Sequence, residues 1–381
     1  MSSYAINLAQ NLVRCPSVTP SDGGAFDLLQ GELVKLGFDC IRLPFGEGEA
    51  RIDNLFARRG SKGPHFAFAG HVDVVPIGDI KLWQHNPFSG VLLDGKLFGR
   101  GVADMKGGIA AFVAALASFT RRMPDEGSIS LIITGDEEAD ADFGTVKMVE
   151  WIKNNNHVPD FCVVGEPTNT NKIGDMIKNG RRGSLSCQLE VNGVQGHVAY
   201  PNLADNPITR LLAMLAPVNG TKLDGGNDYF DASTANVTSI DTANEAGNVI
   251  PAKVSAKFNI RFNTNHKSDD LIVWLEEHFD NVGGHWSAIW RVSAQPFVTP
   301  IGNFTNLMQT AIESVTGLKP VLSTGGGTSD ARFITKICPV AEFGLVGKTM
   351  HQIDEHVDII DIDQLTKVYF EILVQFFKEK P

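Results

Sequence analysis

His65-Phe-Ala-Phe-Ala-Gly-His-Val-Asp73 is an apolar, strand-like run that ends in two side chains able to bind a metal or move a proton. Two later runs repeat the arrangement. Residues 129–134 lead into Gly135-Asp-Glu-Glu138, and Phe161–Val164 leads into Gly165-Glu-Pro167. Between the first two lies Gly99-Arg-Gly-Val-Ala-Asp-Met-Lys-Gly-Gly108, and near the C-terminus stands Met350-His-Gln352. Short apolar runs bounded by turn residues read as buried strands. Strands alternating with helical stretches predict an α/β fold with a mainly parallel sheet covered on both faces. In such sheets ligands bind beyond the carboxyl ends of the strands. His71, Glu137, Glu138 and Glu166 fall there.

Working outward, residues 3–14 and 24–37 have amphipathic helical spacing, and 39–43 and 52–57 read as strands. The Ala-rich stretch Gly107–Arg122 predicts a helix that starts just after Asp104, and a further helix is expected near 143–154. The texture changes at about residue 183. Residues 184–191 alternate like a half-exposed strand, 206–218 read as a helix, 235–240 and 252–263 as strands, 268–279 as a helix and 285–292 as a strand. The order β-α-β-β-α-β is the split βαβ arrangement of a small α+β domain. Helical spacing returns at 304–315 and 361–380. The expectation is a discontinuous first domain, residues 1–182 and 294–381, with a second domain of residues 183–293 inserted in it.

At 381 residues the chain is long for a single core, which also favours two domains. A hydrophobic content of 43% and a charged content of 20% are those of an ordinary soluble protein. The formal net charge of -11 argues against nucleic acid as a partner, because phosphates would be repelled. An anionic substrate would therefore need a local basic pocket. The cysteines at 15, 40, 162, 187 and 338 form no C-x-x-C pair, so reduced thiols are expected. The N-terminus lacks a charged segment followed by an apolar one. No apolar stretch approaches the ~20 residues that cross a bilayer. The expected setting is cytoplasmic, with no membrane partner.

Histidine nitrogen and carboxylate oxygen, without cysteine, suit a catalytic zinc site better than a structural one. In His71-Val-Asp73 the period of two puts both polar side chains on one side, where the carboxylate can accept the second imidazole N–H. Asp104 stands ahead of a helix whose N-terminus favours negative charge, and a plain helix cap is its other reading. Glu137 and Glu138 are adjacent, so their side chains diverge. One can bind metal while the other faces the attacking water, although an exposed acidic loop has the same composition. Glu166 also suits a turn, and His351 and His356 each suit a loop histidine. Taken together, the order His, Asp, Glu-Glu, Glu, His points to a metal cup. Five ligand groups overfill one open zinc site, which usually takes three. If Asp104 bridges, each of two metals receives three, and the pair shares a water ~3.5–4 Å from metal to metal.

Gly70-His-Val-Asp-Val-Val-Pro76, Gly99-Arg-Gly-Val-Ala-Asp-Met-Lys-Gly-Gly108, Gly135-Asp-Glu-Glu138 and Gly165-Glu-Pro-Thr168 resemble the dizinc aminoacylase and exopeptidase family, and the likeness runs over essentially the whole chain. It implies a mixed, mainly parallel sheet sandwiched by helices, with the inserted domain serving in dimerisation and as a lid. It implies that His71, Asp104 and Glu166 hold one Zn2+ and that Asp104, Glu138 and His351 hold the other, with Co2+ as the substitute ion. Asp73 would orient His71, Glu137 would act as general base and then acid, and the Asp104–Met105 peptide would be cis.

The later segments narrow the expected chemistry. Lys178-Asn-Gly-Arg-Arg-Gly-Ser-Leu185, Gly196-His-Val-Ala-Tyr-Pro201, Gly247-Asn-Val-Ile-Pro251, Asn259-Ile-Arg-Phe262, Thr324-Gly-Gly-Gly-Thr-Ser-Asp330 and Thr349-Met-His-Gln-Ile-Asp-Glu355 resemble most the family members that cleave a succinyl amide. The implied reaction splits N-succinyl-L,L-2,6-diaminopimelate into succinate and L,L-2,6-diaminopimelate in bacterial lysine synthesis. Acetylornithine deacetylation and carboxypeptidase G-type or dipeptide hydrolysis are the alternatives within the family. A zinc scaffold without catalysis is a further alternative, against which the intact Glu137 argues.

The resemblance also implies that His197 reaches the site from the partner of a homodimer, or after domain closure, to stabilise an oxyanion. A plain surface-loop histidine is its other reading. The substrate carries three carboxylates, and arginine recognises carboxylates by a planar fork. Arg182 and Arg261 are the expected partners, with Arg181 beside them and Asn248 adding an amide contact. Residues 325–328, including Gly327 and Thr328, suit either a backbone-donor loop for an anion or a hinge. Gly325 stands where the family pattern has serine, which removes one potential hydroxyl contact.

Overall fold

The computed structural model describes residues 2–123 and 126–378. Its internal contacts divide the chain into two units, one of residues 1–179, 299–323 and 329–381, the other of residues 180–298 and 324–328. The second unit is wider than the expected 183–293. Gly180–Arg181 pairs antiparallel with Phe297–Val298 and extends its base. Residues 324–328 join it because Thr324 Oγ1 donates to the Tyr229 carbonyl (2.6 Å) and Arg181 Nη1 to the Gly325 carbonyl (3.4 Å).

The first unit is built on an eight-stranded mixed sheet. Across it the order is Asp39–Arg42, Leu55–Arg59, Ser128–Thr134, His65–His71, Phe161–Val164, Val340–Glu342, Met176–Lys178 and Val321–Ser323. Ser128–Thr134, His65–His71 and Phe161–Val164 are neighbours and run parallel, so their carboxyl ends lie together. Asp39–Arg42 and Leu55–Arg59 are joined without a crossover helix and pair antiparallel, as a short connection requires. Three strands of the far half were absent from the sequence reading. Each has only three residues, too few for a period to show.

Alternation along the strands explains the two covered faces. Leu55, Ala57, Phe66, Phe68, Ile129, Leu131 and Ile133 belong to one buried cluster. They meet residues from the helices Ser2–Val13, Gly107–Arg122, Asn303–Thr316 and Ile359–Lys378. Phe68 stacks on Phe112 at 4.1 Å and meets Tyr369 edge-on at 5.6 Å. Phe56 lies one residue out of step with Leu55 and Ala57 and meets Trp151, on the helix Thr145–Asn154, at 5.1 Å. The last two residues of the helix expected at 361–380 lie outside the described residues.

One sequence expectation is corrected. Val102–Arg122 is long and apolar enough to pass for a membrane span, yet 89% of that window is buried inside the protein. Its apolar residues pack against the sheet and neighbouring helices, where they satisfy the same hydropathy that a bilayer would.

The second unit has a four-stranded antiparallel sheet in the order Thr234–Asp241, Lys253–Phe262, Gly183–Asn192, His285–Ala294. This is the split βαβ order. Leu185, Cys187, Leu189 and Val191 alternate inward and pack with Phe258, Ile260 and Phe262 against Leu211, Met214, Leu271, Leu275 and Phe279 of the helices Pro207–Gly220 and Ser268–Val282. The helix Pro207–Gly220 starts where Asn206 accepts the Ile208 N–H (3.0 Å) and Pro207 takes the first helical position.

Candidate metal centre

Three neighbouring parallel strands end side by side and carry the first groups. His71 is the last residue of its strand, and Glu137, Glu138 and Glu166 follow the ends of the strands on either side. Asp104 arrives from elsewhere. It lies in the tight segment Val102–Lys106, with extended backbone angles (φ -125°, ψ 94°), and the Asp104–Met105 peptide is cis. The helix begins only at Gly107, so Asp104 is not its cap, and its side chain turns to the imidazoles. Gly101 permits the approach. Its φ is +80°, and a Cβ there would sit 2.2 Å from Val74 Cγ1.

The ligand-type atoms form two groups that share one residue. His71, Asp104 and Glu166 make one group, and Asp104, Glu138 and His351 the other, each with its donor atoms within 4.8 Å of one another. The shared carboxylate is split between the imidazoles. Asp104 Oδ1 is 3.2 Å from His71 Nε2, and Oδ2 is 3.3 Å from His351 Nε2. Glu166 Oε1 lies 3.9 Å from His71 Nε2, and Glu138 Oε1 lies 3.0 Å from His351 Nε2. Of the adjacent glutamates, Glu138 and not Glu137 stands in the second group.

Asp73 differs from the expectation. His71 Nδ1 bonds to the main-chain carbonyl of Asp73 at 2.9 Å, while the carboxylate is 3.6 Å away. That carbonyl leaves Nε2 free to face the acids. The Asp73 carboxylate accepts the Glu137 N–H (3.1 Å), the Glu138 N–H (3.0 Å) and the Thr19 hydroxyl (2.9 Å). It therefore secures the turn that presents both glutamates. The sequence spacing showed two groups on one side of a strand but not the backbone that would turn back over them.

The electrostatics are those of a site built for positive charge. Burial pushes Glu166 well above the usual carboxylate range, and the charges of Asp104, Glu137 and Glu342 add to it. Burial also raises Glu137, with Asp330, Glu138 and Asp104 adding to it against the pull of His71. For His71, burial opposes the charged ring, but the Asp104 hydrogen bond and the nearby acids hold it well above its ordinary value. Hydrogen bonds to Asp104 and Glu138 raise His351 to about 10. Two divalent cations fit this donor set. Each would find one imidazole nitrogen and two carboxylates, and the crowded acids would lose their mutual repulsion.

Both imidazoles are held above their ordinary value by the neighbouring acids, so protons compete with a cation at Nε2. Adding two equivalents of Zn2+ to metal-free protein in lightly buffered solution should release protons to an indicator dye, and affinity should fall as pH falls. An affinity that does not change with pH would show that these imidazoles are not ligands.

Other candidates fall elsewhere. His356 has both ring nitrogens engaged, Nδ1 with the Asp354 carbonyl (2.9 Å) and Nε2 with Lys96 Nζ (3.0 Å). His197, Arg182, Arg261, Asn248, Gly327 and Thr328 all belong to the second unit. His197 is exposed, in the two-residue strand Gly196–His197 that pairs with Val249–Ile250 beside Asn248. Its Nδ1 accepts the Ala199 N–H (3.0 Å), which leaves the proton of a neutral ring on Nε2. Arg261 is lowered by burial and by the charge of Arg182, so the two guanidinium groups feel each other. Two buried acids had no role in the sequence reading. Asp330, pushed up to about 6 by burial, acts electrostatically on Glu137. Glu355 underlies the Asp104 segment. Each closes a quoted motif, which was the available signal.

The model of peptidase family M20/M25/M40 matches residues 67–375. The chain is 52% identical to a succinyl-diaminopimelate desuccinylase of Rhodospirillum centenum over 379 residues, covering 99% of this chain and 98% of that one. It is also 52% identical to one of Gluconacetobacter diazotrophicus over 375 residues, covering 98% and 97%. Among solved structures, an aminopeptidase of Bacillus cereus superposes with a TM-score of 0.80 at 19% identity, covering 98% of each chain. A dinuclear metal-binding M20 peptidase of Bacillus subtilis does so with a TM-score of 0.73 at 15% identity, covering 99% and 98%. At such identities the structural likeness speaks for the fold.

Proposed function

Because the chain belongs to peptidase family M20/M25/M40, we propose that its cup of acids and histidines holds two divalent ions and hydrolyses an amide. The reaction is the splitting of N-succinyl-L,L-2,6-diaminopimelate into succinate and L,L-2,6-diaminopimelate, in bacterial lysine and diaminopimelate synthesis. The observation that carries the two-ion reading is the Asp104 carboxylate, whose two oxygens face two different imidazoles. In this reading His71, Asp104 and Glu166 hold one Zn2+, Asp104, Glu138 and His351 hold the other, and Co2+ can substitute. Bound ions of this kind lower the pKa of water and polarise a carbonyl.

The chain's own residues then divide the work. Glu137 takes the proton of the attacking water and returns it to the leaving amine. Asp73 holds the Glu137 and Glu138 amides and, through its carbonyl, the His71 ring. His197, reaching the site from the partner of a homodimer or after domain closure, donates Nε2–H to the developing oxyanion. Arg182, Arg261 and Asn248, with the backbone and hydroxyl donors at Gly327 and Thr328, bind the substrate carboxylates. These contacts supply the local positive field that the net charge of -11 withholds.

The inserted domain serves in dimerisation and as a lid, and the protein is a cytoplasmic homodimer without a nucleic-acid or membrane partner. Its edge strand His285–Ala294 exposes Ile289 and offers a free edge suited to a second copy.

Parallel assays on N-succinyl-L,L-diaminopimelate and N-acetylornithine test the substrate. Faster turnover of the succinyl compound is expected. Faster turnover of the acetyl compound would move the chain to another branch of the family.

A further inference from the structure

Glu355 has no part in the two ligand groups, yet its side chain is completely buried. Its Oε2 accepts Arg100 Nη1–H (2.9 Å) and the Gly101 N–H (3.0 Å), and its Oε1 accepts the Ala103 N–H (2.9 Å) and, at 3.4 Å, the Asp104 N–H. Its own carbonyl accepts the Gly99 N–H (2.8 Å). One residue thus accepts from the backbone N–H groups of Gly99, Gly101, Ala103 and Asp104, in the segment that presents the shared carboxylate. Glu355 also lies four residues after His351, on the segment that presents the second imidazole. Arg100 ties the same two segments again through the Gln352 carbonyl (3.1 Å), and its guanidinium sits 5.0 Å above the Trp83 ring.

The physical consequence is a single charged clamp between two ligand-bearing loops. Buried N–H groups without acceptors are costly, so the Gly101–Asp104 backbone has little alternative to this carboxylate. Charge-assisted bonds to Arg100 and the amides are stronger than neutral ones. We propose that Glu355 is a positioning residue that locks the Asp104 loop to the His351 loop, so that the cup is assembled before any ion arrives. The proposal rests on the two-ion reading. It assigns Glu355 unequal influence over the two sites. The second group relies on the clamp for two members, Asp104 and His351, and the first for Asp104 alone, because His71 and Glu166 are held by the strand ends.

The test is Zn2+ binding by equilibrium dialysis to metal-free wild type, Glu355→Gln and Glu355→Asp, with thermal melts of the metal-free proteins alongside. Wild type should bind two ions. Glu355→Gln should keep one and bind the other about 10–100-fold more weakly, the range expected when a group behind a ligand is lost. Glu355→Asp, which keeps the charge, should recover part of the difference. A merely structural role would lower the melting temperature and weaken both ions alike, and that result would overturn the assignment, as would unchanged affinities. Wild type that binds fewer than two ions would instead remove the two-ion reading itself. Hydrogen exchange on metal-free wild type gives a check that needs no variant. The Gly101 and Ala103 amides should be protected, and rapid exchange at both would overturn the preassembled clamp.

Discussion

Glu137→Gln should lower kcat by about 10²–10⁴-fold, the usual contribution of a positioned general base, while the protein keeps two ions and its KM. The glutamate is placed for this outcome. Its main-chain N–H is held by the Asp73 carboxylate at 3.1 Å, and its side chain stands outside both ligand groups. Burial, Asp330 and the adjacent acids raise its affinity for a proton, which suits a group that must take one and give it back. Glutamine preserves size and polarity but cannot carry the proton. Turnover by single-wavelength assay and metal content by atomic emission separate the possibilities. Hydrolysis that survives intact in this variant would exclude Glu137 as the base.

Asp104→Ala should cost both ions together and take hydrolysis to background. The carboxylate is the one group common to the two sets, with Oδ1 3.2 Å from one imidazole and Oδ2 3.3 Å from the other. Removing it leaves each set with two donors, fewer than the three that open catalytic sites usually use. His351→Ala is the informative contrast, because His351 belongs to one set only and its loss should spare the ion beside His71. The measurement is metal per chain after exhaustive dialysis against a weak chelator. Two ions retained by Asp104→Ala would sink the shared-carboxylate arrangement.

Much of this site was legible in the chain. His71, Glu138 and Glu166 announced themselves because each follows an apolar run, and parallel strands of a doubly covered sheet end on one side. Asp104 stood out amid glycines, although the helix-cap reading could be set aside only once its backbone was seen to be extended, three residues ahead of the helix. The Asp73 carboxylate shows the limit. Spacing of two residues put it beside His71, but its hydrogen bonds go to amides more than sixty residues away, which no local period encodes. The short strands Met176–Lys178, Val321–Ser323 and Val340–Glu342 escaped for the same reason, since their existence rests on partners across the sheet rather than on their own pattern.

The kinds of chemistry available, the alternation of strands and helices, and the identity of the ligand-type side chains were properties of residue order, because hydrophobic period and side-chain chemistry are local. Which oxygen of Asp104 faces which imidazole, why Glu138 rather than Glu137 joins the second set, and how Glu355 binds the loops of Asp104 and His351 together arose only on folding. Those features depend on distances between atoms tens to hundreds of residues apart in the chain, and burial turns such distances into strong, weakly screened interactions.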